Sequence, residues 1–154
     1  MGCPFCEKLS RLDTLPDDEL VWQFPHSVAL LGPWQDYTGY CILVARRHAH
    51  ELFHLTAVER RSFLDEMCLL ARAIHQVTSP RKINYELLGN QVPHLHWHLF
   101  PRRHDDPDHL KPVWLSLEHA EQDAAVRARL QSGPRSRREV AAELRAVIER
   151  LTES

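Results

Sequence analysis

His94-Leu95-His96-Trp97-His98-Leu99-Phe100 is the stretch on which the reading of this chain turns. On a strand, successive side chains point to opposite faces, so His94, His96 and His98 share one face and Leu95, Trp97 and Leu99 the other. The second set belongs in a core. The first places three imidazoles in a row, with alternate Cα atoms about 7 Å apart. A single buried histidine is usually a core residue with a satisfied hydrogen bond. Three in strict alternation have little packing use, which leaves two chemistries. Alternate histidines can ligate a catalytic metal, giving a metal-dependent hydrolase. They can also bind and attack phosphate. A neutral imidazole is a good nucleophile toward phosphorus, and its neighbours can donate to non-bridging oxygens and protonate a leaving group. Gly89, Asn90 and Gln91, just upstream, supply amide donors for those oxygens, which a metal cluster would not need.

Working outward, Ile83 to Leu88 reads as a strand that forms a hairpin with His94 to Phe100 across the Gly89-Asn90 turn and Pro93. Tyr40 to Ala45 is apolar throughout, as in a central strand buried on both faces. Val21 to Phe24 and Ser27 to Leu31 are shorter strands broken by Pro25, and the first twenty residues are turn-rich. Thr56-Ala-Val-Glu59 is a capping box. It opens a helix whose apolar stripe runs Phe63, Met67, Leu70, Ile74 and Val77, ended by Ser79-Pro80. Residues 101 to 113 read as a surface loop, Leu117 to Leu130 as one short helix, and Ser136-Arg-Arg-Glu139 as a second capping box leading into a final helix. Strands with helices between and after them predict an α+β domain with a mainly antiparallel sheet of about five strands. The final helix packs on that sheet or on a partner.

The 154 residues suit one domain, 1–154, with a core over about 3–115 and a C-terminal helical extension over about 116–154. Nineteen basic and 21 acidic side chains leave a formal charge of −2, which argues against a whole surface built to grip nucleic acid or an anionic membrane while permitting a local anion site. No apolar run spans a bilayer and no secretory signal is visible, so a cytoplasmic location is expected. Cys41 and Cys68 lie in apolar segments and read as small buried residues in a reducing compartment. Cys3 and Cys6, in Cys3-Pro-Phe-Cys6, are half of a tetrahedral zinc site or a redox pair. A redox pair should follow a strand, and none precedes residue 3. Arg46, Arg47, Arg102 and Arg103 either steer an anionic ligand or, as is more usual for paired arginines at strand ends, are solvated, and His50, His54, His104, His109 and His119 read as surface residues.

The segment His94 to Phe100 resembles the alternating-histidine signature of the histidine triad (HIT) superfamily of nucleotide hydrolases and transferases. The likeness extends to Tyr40-Cys-Ile-Leu-Val-Ala-Arg-Arg-His48, to Leu55-Thr56 with Glu59, and to Asn84-Tyr-Glu-Leu-Leu-Gly-Asn-Gln-Val-Pro-His94. Phe100-Pro-Arg102 and Asp105-Asp106-Pro107 then resemble the bacterial branch described as diadenosine polyphosphate hydrolase-like. Residues 3 to 115 are covered.

The resemblance implies a HIT-like fold, a homodimer and a small-molecule nucleotide substrate. It makes His96 the nucleophile that attacks the α-phosphorus, and His98 a donor to phosphate or leaving group. Asn84 and Gln91, with Gly89 and Asn90, become phosphate-side contacts, and no catalytic metal is required. It also completes a structural zinc site by adding His48 and His94 to Cys3 and Cys6. One departure is visible: Gly32 falls near the place of an acidic residue that holds ribose hydroxyls in some branches. Leu30, Trp34 and Tyr40 are candidates for the base pocket. The alternative to an enzyme is a zinc-stabilised nucleotide-binding or scaffold protein without turnover.

Overall fold

A computed structural model describes residues 2–154. Five strands, β1 (Leu20–Gln23), β2 (Ser27–Leu31), β3 (Cys41–Ala45), β4 (Lys82–Glu86) and β5 (His96–Arg102), form an antiparallel sheet in the order β1-β2-β3-β5-β4. With its helices the chain has the expected α+β architecture. The register fixes two faces. Ala29, Leu43, Trp97 and Leu99 lie on one, while Leu30, Ile42, His96 and His98 lie on the other.

The first face is covered by α2 (Ala57–Thr78) and α5 (Arg137–Glu153). In α2 the capping box forms as the sequence predicts, with Thr56 accepting from the Glu59 amide and Glu59 accepting from the Thr56 amide. The predicted stripe is buried from Phe63 to Ile74, and Val77 is half-buried. Ser79 ends the helix in the left-handed conformation, its amide bonded to His75. The buried face also takes in Ala71, Ala73 and, unexpectedly for a charged residue, Glu66. Glu66 is only 8% exposed, and it accepts from the His26 amide and the Ser27 hydroxyl, tying α2 to the start of β2. In α5, Ser136 caps the Glu139 amide without the reciprocal bond of a full box. Val140, Leu144 and Ile148 enter the same core, so this helix packs on its own sheet and on α2.

Four local expectations are corrected. The turn-rich N-terminus contains a short helix, α1 (Pro4–Leu9), with Pro4 in its first turn, where a missing amide costs nothing. The predicted helix Leu117–Leu130 is two helices, α3 (Val113–Gln122) and α4 (Ala124–Gln131). They meet at Asp123, whose carboxylate caps the amides of Ala125 and Val126 and so starts a new helix. Cys41 is buried, but Cys68 is exposed because it lies one position off the α2 stripe. Arg102 is not solvated. It is 2% exposed, and its guanidinium binds Asp106, Asn84 Oδ1 and the carbonyls of Asp108 and Lys111, which anchors the loop after β5. Among the described residues, no helix is long and apolar enough to cross a membrane.

Candidate functional site

The second face of the sheet carries the histidines, and they do not form a row. β5 begins at His96, and His94 lies in the bend before it. The ladder with β3 runs to Val44 opposite His96; beyond it Leu95 accepts from the Ala45 amide but donates to Ala49, and Pro93 has no amide to extend the strand. The His94 ring joins Cys3, Cys6 and His48, while His96 and His98 stay together with ring centroids 4.8 Å apart.

His96 and His98 line a cavity of about 380 Å³, at the small end of the range for small-molecule sites. Gly89, Asn90 and Gln91 line one side of it, as the sequence predicts. Gly89 holds a φ of +77°, which glycine adopts without strain. The hydrogen bonds of the described residues leave the amides of Gly89, Asn90 and Gln91 without a protein acceptor, so they are free to bind an anion. Asn84 shares the histidine face but does not line the cavity, and Arg102 holds its Oδ1 at 3.0 Å.

The hydrogen bonds fix which ring nitrogen can react. His96 Nδ1 lies 2.6 Å from the His94 carbonyl. A carbonyl only accepts, so Nδ1 carries the proton and Nε2 keeps its lone pair. Burial lowers the His96 pKa, partly offset by that same bond, and the ring stays neutral at pH 7. His98 Nδ1 lies 2.7 Å from the Tyr40 hydroxyl. Burial holds the phenol pKa above its ordinary value, and the hydroxyl has no other partner among the described residues. A buried O–H left undonated would be costly, so Tyr40 donates to Nδ1 and the His98 proton sits on Nε2. Burial first, and then His96, push the His98 pKa down to about 3, so this ring is neutral too. One imidazole thus offers a lone pair and its neighbour an N–H.

Sequence reasoning missed the cavity walls. Phe5 of α1 lies 4.6 Å from His96, centroid to centroid. Trp114, in the first turn of α3, stands edge-on to His98 at 5.1 Å, and its indole N–H donates to Glu86. Burial raises the Glu86 pKa. Nothing in local periodicity marks Phe5 or Trp114 as a wall.

The base-pocket candidates lie elsewhere. Leu30 packs with Val28 and Val44, Trp34 packs against the cluster around Phe100, and Tyr40 is buried behind His98, stacked on Phe100 at 4.0 Å. The glycine at position 32 follows from this. A Cβ there would lie 2.2 Å from the Tyr40 ring, so the ring that holds His98 excludes any side chain.

Cys3, Cys6, His48 and His94 come together as the resemblance implies, their donor atoms all within 4.8 Å of one another. Cys6 Sγ to His48 Nδ1 is 3.3 Å, Cys3 Sγ to His94 Nδ1 is 3.4 Å, and the two Nδ1 atoms are 3.1 Å apart. A tetrahedral zinc ion with ordinary bond lengths has S–N edges of about 3.6 Å and N–N edges of about 3.3 Å. The donor set and its spacing fit that ion. His94 Nε2 donates to the Ala45 carbonyl at 2.7 Å, which fixes its tautomer and turns the Nδ1 lone pair toward the thiols. His48 Nε2 lies 3.2 Å from His50 Nε2, so His50 is a partner of this cluster rather than a bystander. Among the described residues this is the one group of potential ligands with such spacing, and His96 and His98 stand outside it.

The HIT domain family matches residues 14–105 of the chain. No curated protein matches. Among solved structures, the chain is similar to a histidine triad protein from Bradyrhizobium japonicum at 30% identity, over 79% of this chain and 95% of that one, with a TM-score of 0.59. A histidine triad protein from Marinobacter aquaeolei is 25% identical over 98% and 99% of the two chains, with a TM-score of 0.65. A zinc-bound histidine triad family protein from Mycobacterium smegmatis shares the fold at a TM-score of 0.68 over 99% and 97%, with 18% identity.

Proposed function

Because the chain belongs to the HIT domain family, whose members are nucleotide-binding proteins, hydrolases or transferases, we propose that it cleaves an adenosine-type nucleotide at the α-phosphate through a covalent nucleotidyl-His96 intermediate. The observation that carries this reading is the bond from His96 Nδ1 to the His94 carbonyl, which leaves Nε2 as an unprotonated nucleophile at the cavity.

In the first displacement the Nε2 lone pair forms a bond to the α-phosphorus, and the bond to the leaving group breaks: P–O in a dinucleoside polyphosphate, P–N in a phosphoramidate. The His98 Nε2–H hydrogen-bonds the phosphate or the departing oxygen or nitrogen, and the amides of Gly89, Asn90 and Gln91 take the non-bridging oxygens. In the second, water attacks the same phosphorus, breaks the P–N bond and releases the nucleoside monophosphate. Dividing one difficult substitution into two lowers each barrier. Dinucleoside polyphosphates, the substrates of the diadenosine polyphosphate hydrolase-like branch, and nucleoside phosphoramidates are the substrate classes. The protein works as a cytoplasmic homodimer of one HIT-like domain.

Zinc at Cys3, Cys6, His48 and His94 is part of the proposal, supported by the donor spacing and by the zinc-bound M. smegmatis relative. Its contribution is structural: it ties the N-terminus to the segment entering β5.

The test is to incubate the protein with diadenosine tetraphosphate and with adenosine phosphoramidate, and to analyse a His98→Ala variant by mass spectrometry. An adenylylated peptide containing His96 is expected. Adenosine monophosphate binding without His96-dependent turnover would instead mark a binding or scaffold protein.

A further inference from the structure

One short element joins the metal cage to the cavity. Cys3 is the N-cap of α1 and Cys6 lies in its first turn, with Phe5 between them. Phe5 lines the cavity, 4.6 Å from His96 and 5.8 Å from His94. Apart from an ion pair between Lys8 and Glu19, little else secures α1. None of its residues is buried, its apolar side chains Phe5 and Leu9 only partly cover Val28, Leu30 and Val44, and six residues are too few to stay helical alone. Its firm attachments are the two thiols facing His48 and His94.

We propose that the Cys3–Cys6–His48–His94 centre is a latch for the cavity wall: a metal held there fixes α1, and α1 holds Phe5 against His96. When the centre is emptied α1 detaches, the wall is lost and His96 opens to water. Metal occupancy then sets access to the nucleophile. The other link from cage to nucleophile, the His94 carbonyl on His96 Nδ1, survives that loss. His94 is separately bonded to the Ala45 carbonyl, and Leu95 pairs with both Ala45 and Ala49. The weak point is α1.

The experiment compares zinc-loaded protein with protein stripped by a chelator, in wild type and in Phe5→Ala. Three quantities are read: amide exchange of residues 4–9, carbethoxylation of His96 by diethyl pyrocarbonate located by fragment mass spectrometry, and affinity for adenosine monophosphate. Stripping wild type is expected to speed exchange at residues 4–9 about a hundredfold while β3 and β5 stay protected. It should speed His96 modification about tenfold and weaken nucleotide affinity about tenfold, the scale of losing one aromatic wall. Loaded Phe5→Ala should reproduce the last two changes without the first, stripping it should add less than about twofold, and Phe5→Leu should recover most of both.

Unchanged exchange at residues 4–9 overturns the latch. So do additive effects of stripping and Phe5→Ala, loss of protection across the whole sheet, or failure to take up zinc. The nucleotide arm rests on the function proposed above, whereas the exchange and carbethoxylation arms do not. If only the nucleotide arm fails, the latch is upheld and the nucleotide reading falls.

Discussion

The two faces of β5 are built by different rules. Trp97 and Leu99 face α2 and α5, long helices whose stripes follow a 3.6-residue period and fill a dry core. His96 and His98 face a cavity walled by Phe5 from one end of the chain and Trp114 from beyond the hairpin, each on a short helix. Alternation along a single strand produces both faces. What covers them differs: the core face is covered by elements that announce themselves locally, and the cavity face by pieces held in place through tertiary contacts. Damage to the core face should therefore appear in stability, and damage to the cavity face in chemistry.

The sharpest way to break that division is His96→Ala. Turnover of diadenosine tetraphosphate, read as product formation, is expected to fall by a factor on the order of 10⁴, with the melting temperature within a few degrees of wild type. Full turnover would remove the nucleophile assignment.

Leu70→Ala is the counterpart on the other face. Leu70 is fully buried on α2, and truncation should cost about 2–5 kcal/mol in denaturant unfolding. Turnover per folded molecule should hold within about twofold, since α2 does not touch the cavity. A large loss of turnover at full folding would mean that the faces are mechanically coupled.

How much of each face the sequence revealed follows from the same contrast. The ends of β2 at Ser27 and Leu31 and those of α2 after Thr56 and before Ser79 were legible, because Pro25, Gly32, the capping box and Ser79-Pro80 act through neighbouring atoms. The four members of the cage and the pair His96 and His98 could be named from motif resemblance. The departure of His94 from the strand was not legible, because it depends on where pairing with β3 runs out. The role of Tyr40 was hidden for a similar reason: its partner is His98, on another strand, and only the close approach at Gly32 in the folded chain makes room for its ring. Cys68 was a missed inference rather than a hidden one, since the stripe through Met67 and Leu70 already excluded it.

The neutral buried His98 gives the cavity face a stability signature of its own. Its folded pKa is pushed down to about 3, against about 6.5 in an unfolded chain. Above pH 6.5 neither state binds a proton at this ring, and its contribution to stability is complete. As the pH falls toward 3 the unfolded state takes up a proton that the folded state refuses, so stability is lost, with a slope approaching 1.4 kcal/mol per pH unit. In unfolding free energies measured from pH 7 to pH 5, His98→Gln should show a shallower decline than wild type. Identical slopes would mean that His98 is solvated.

The finest test separates position from charge at the same ring. Tyr40→Phe keeps the ring stacked on Phe100 and leaves room at Gly32 unchanged, but removes the O–H that selects the His98 tautomer. With Nδ1 deprived of its donor, the proton divides between the two ring nitrogens, and the fraction of molecules presenting Nε2–H to the leaving oxygen falls. A tenfold or smaller loss in kcat is expected, with KM nearly unchanged, because the bound nucleotide still meets the same walls and loop amides. The loss should grow with the basicity of the leaving group, since a poor leaving group depends most on the proton that His98 supplies. If KM rises instead, Tyr40 shapes the cavity rather than the proton. If nothing changes, His98 carries its proton on Nε2 without help.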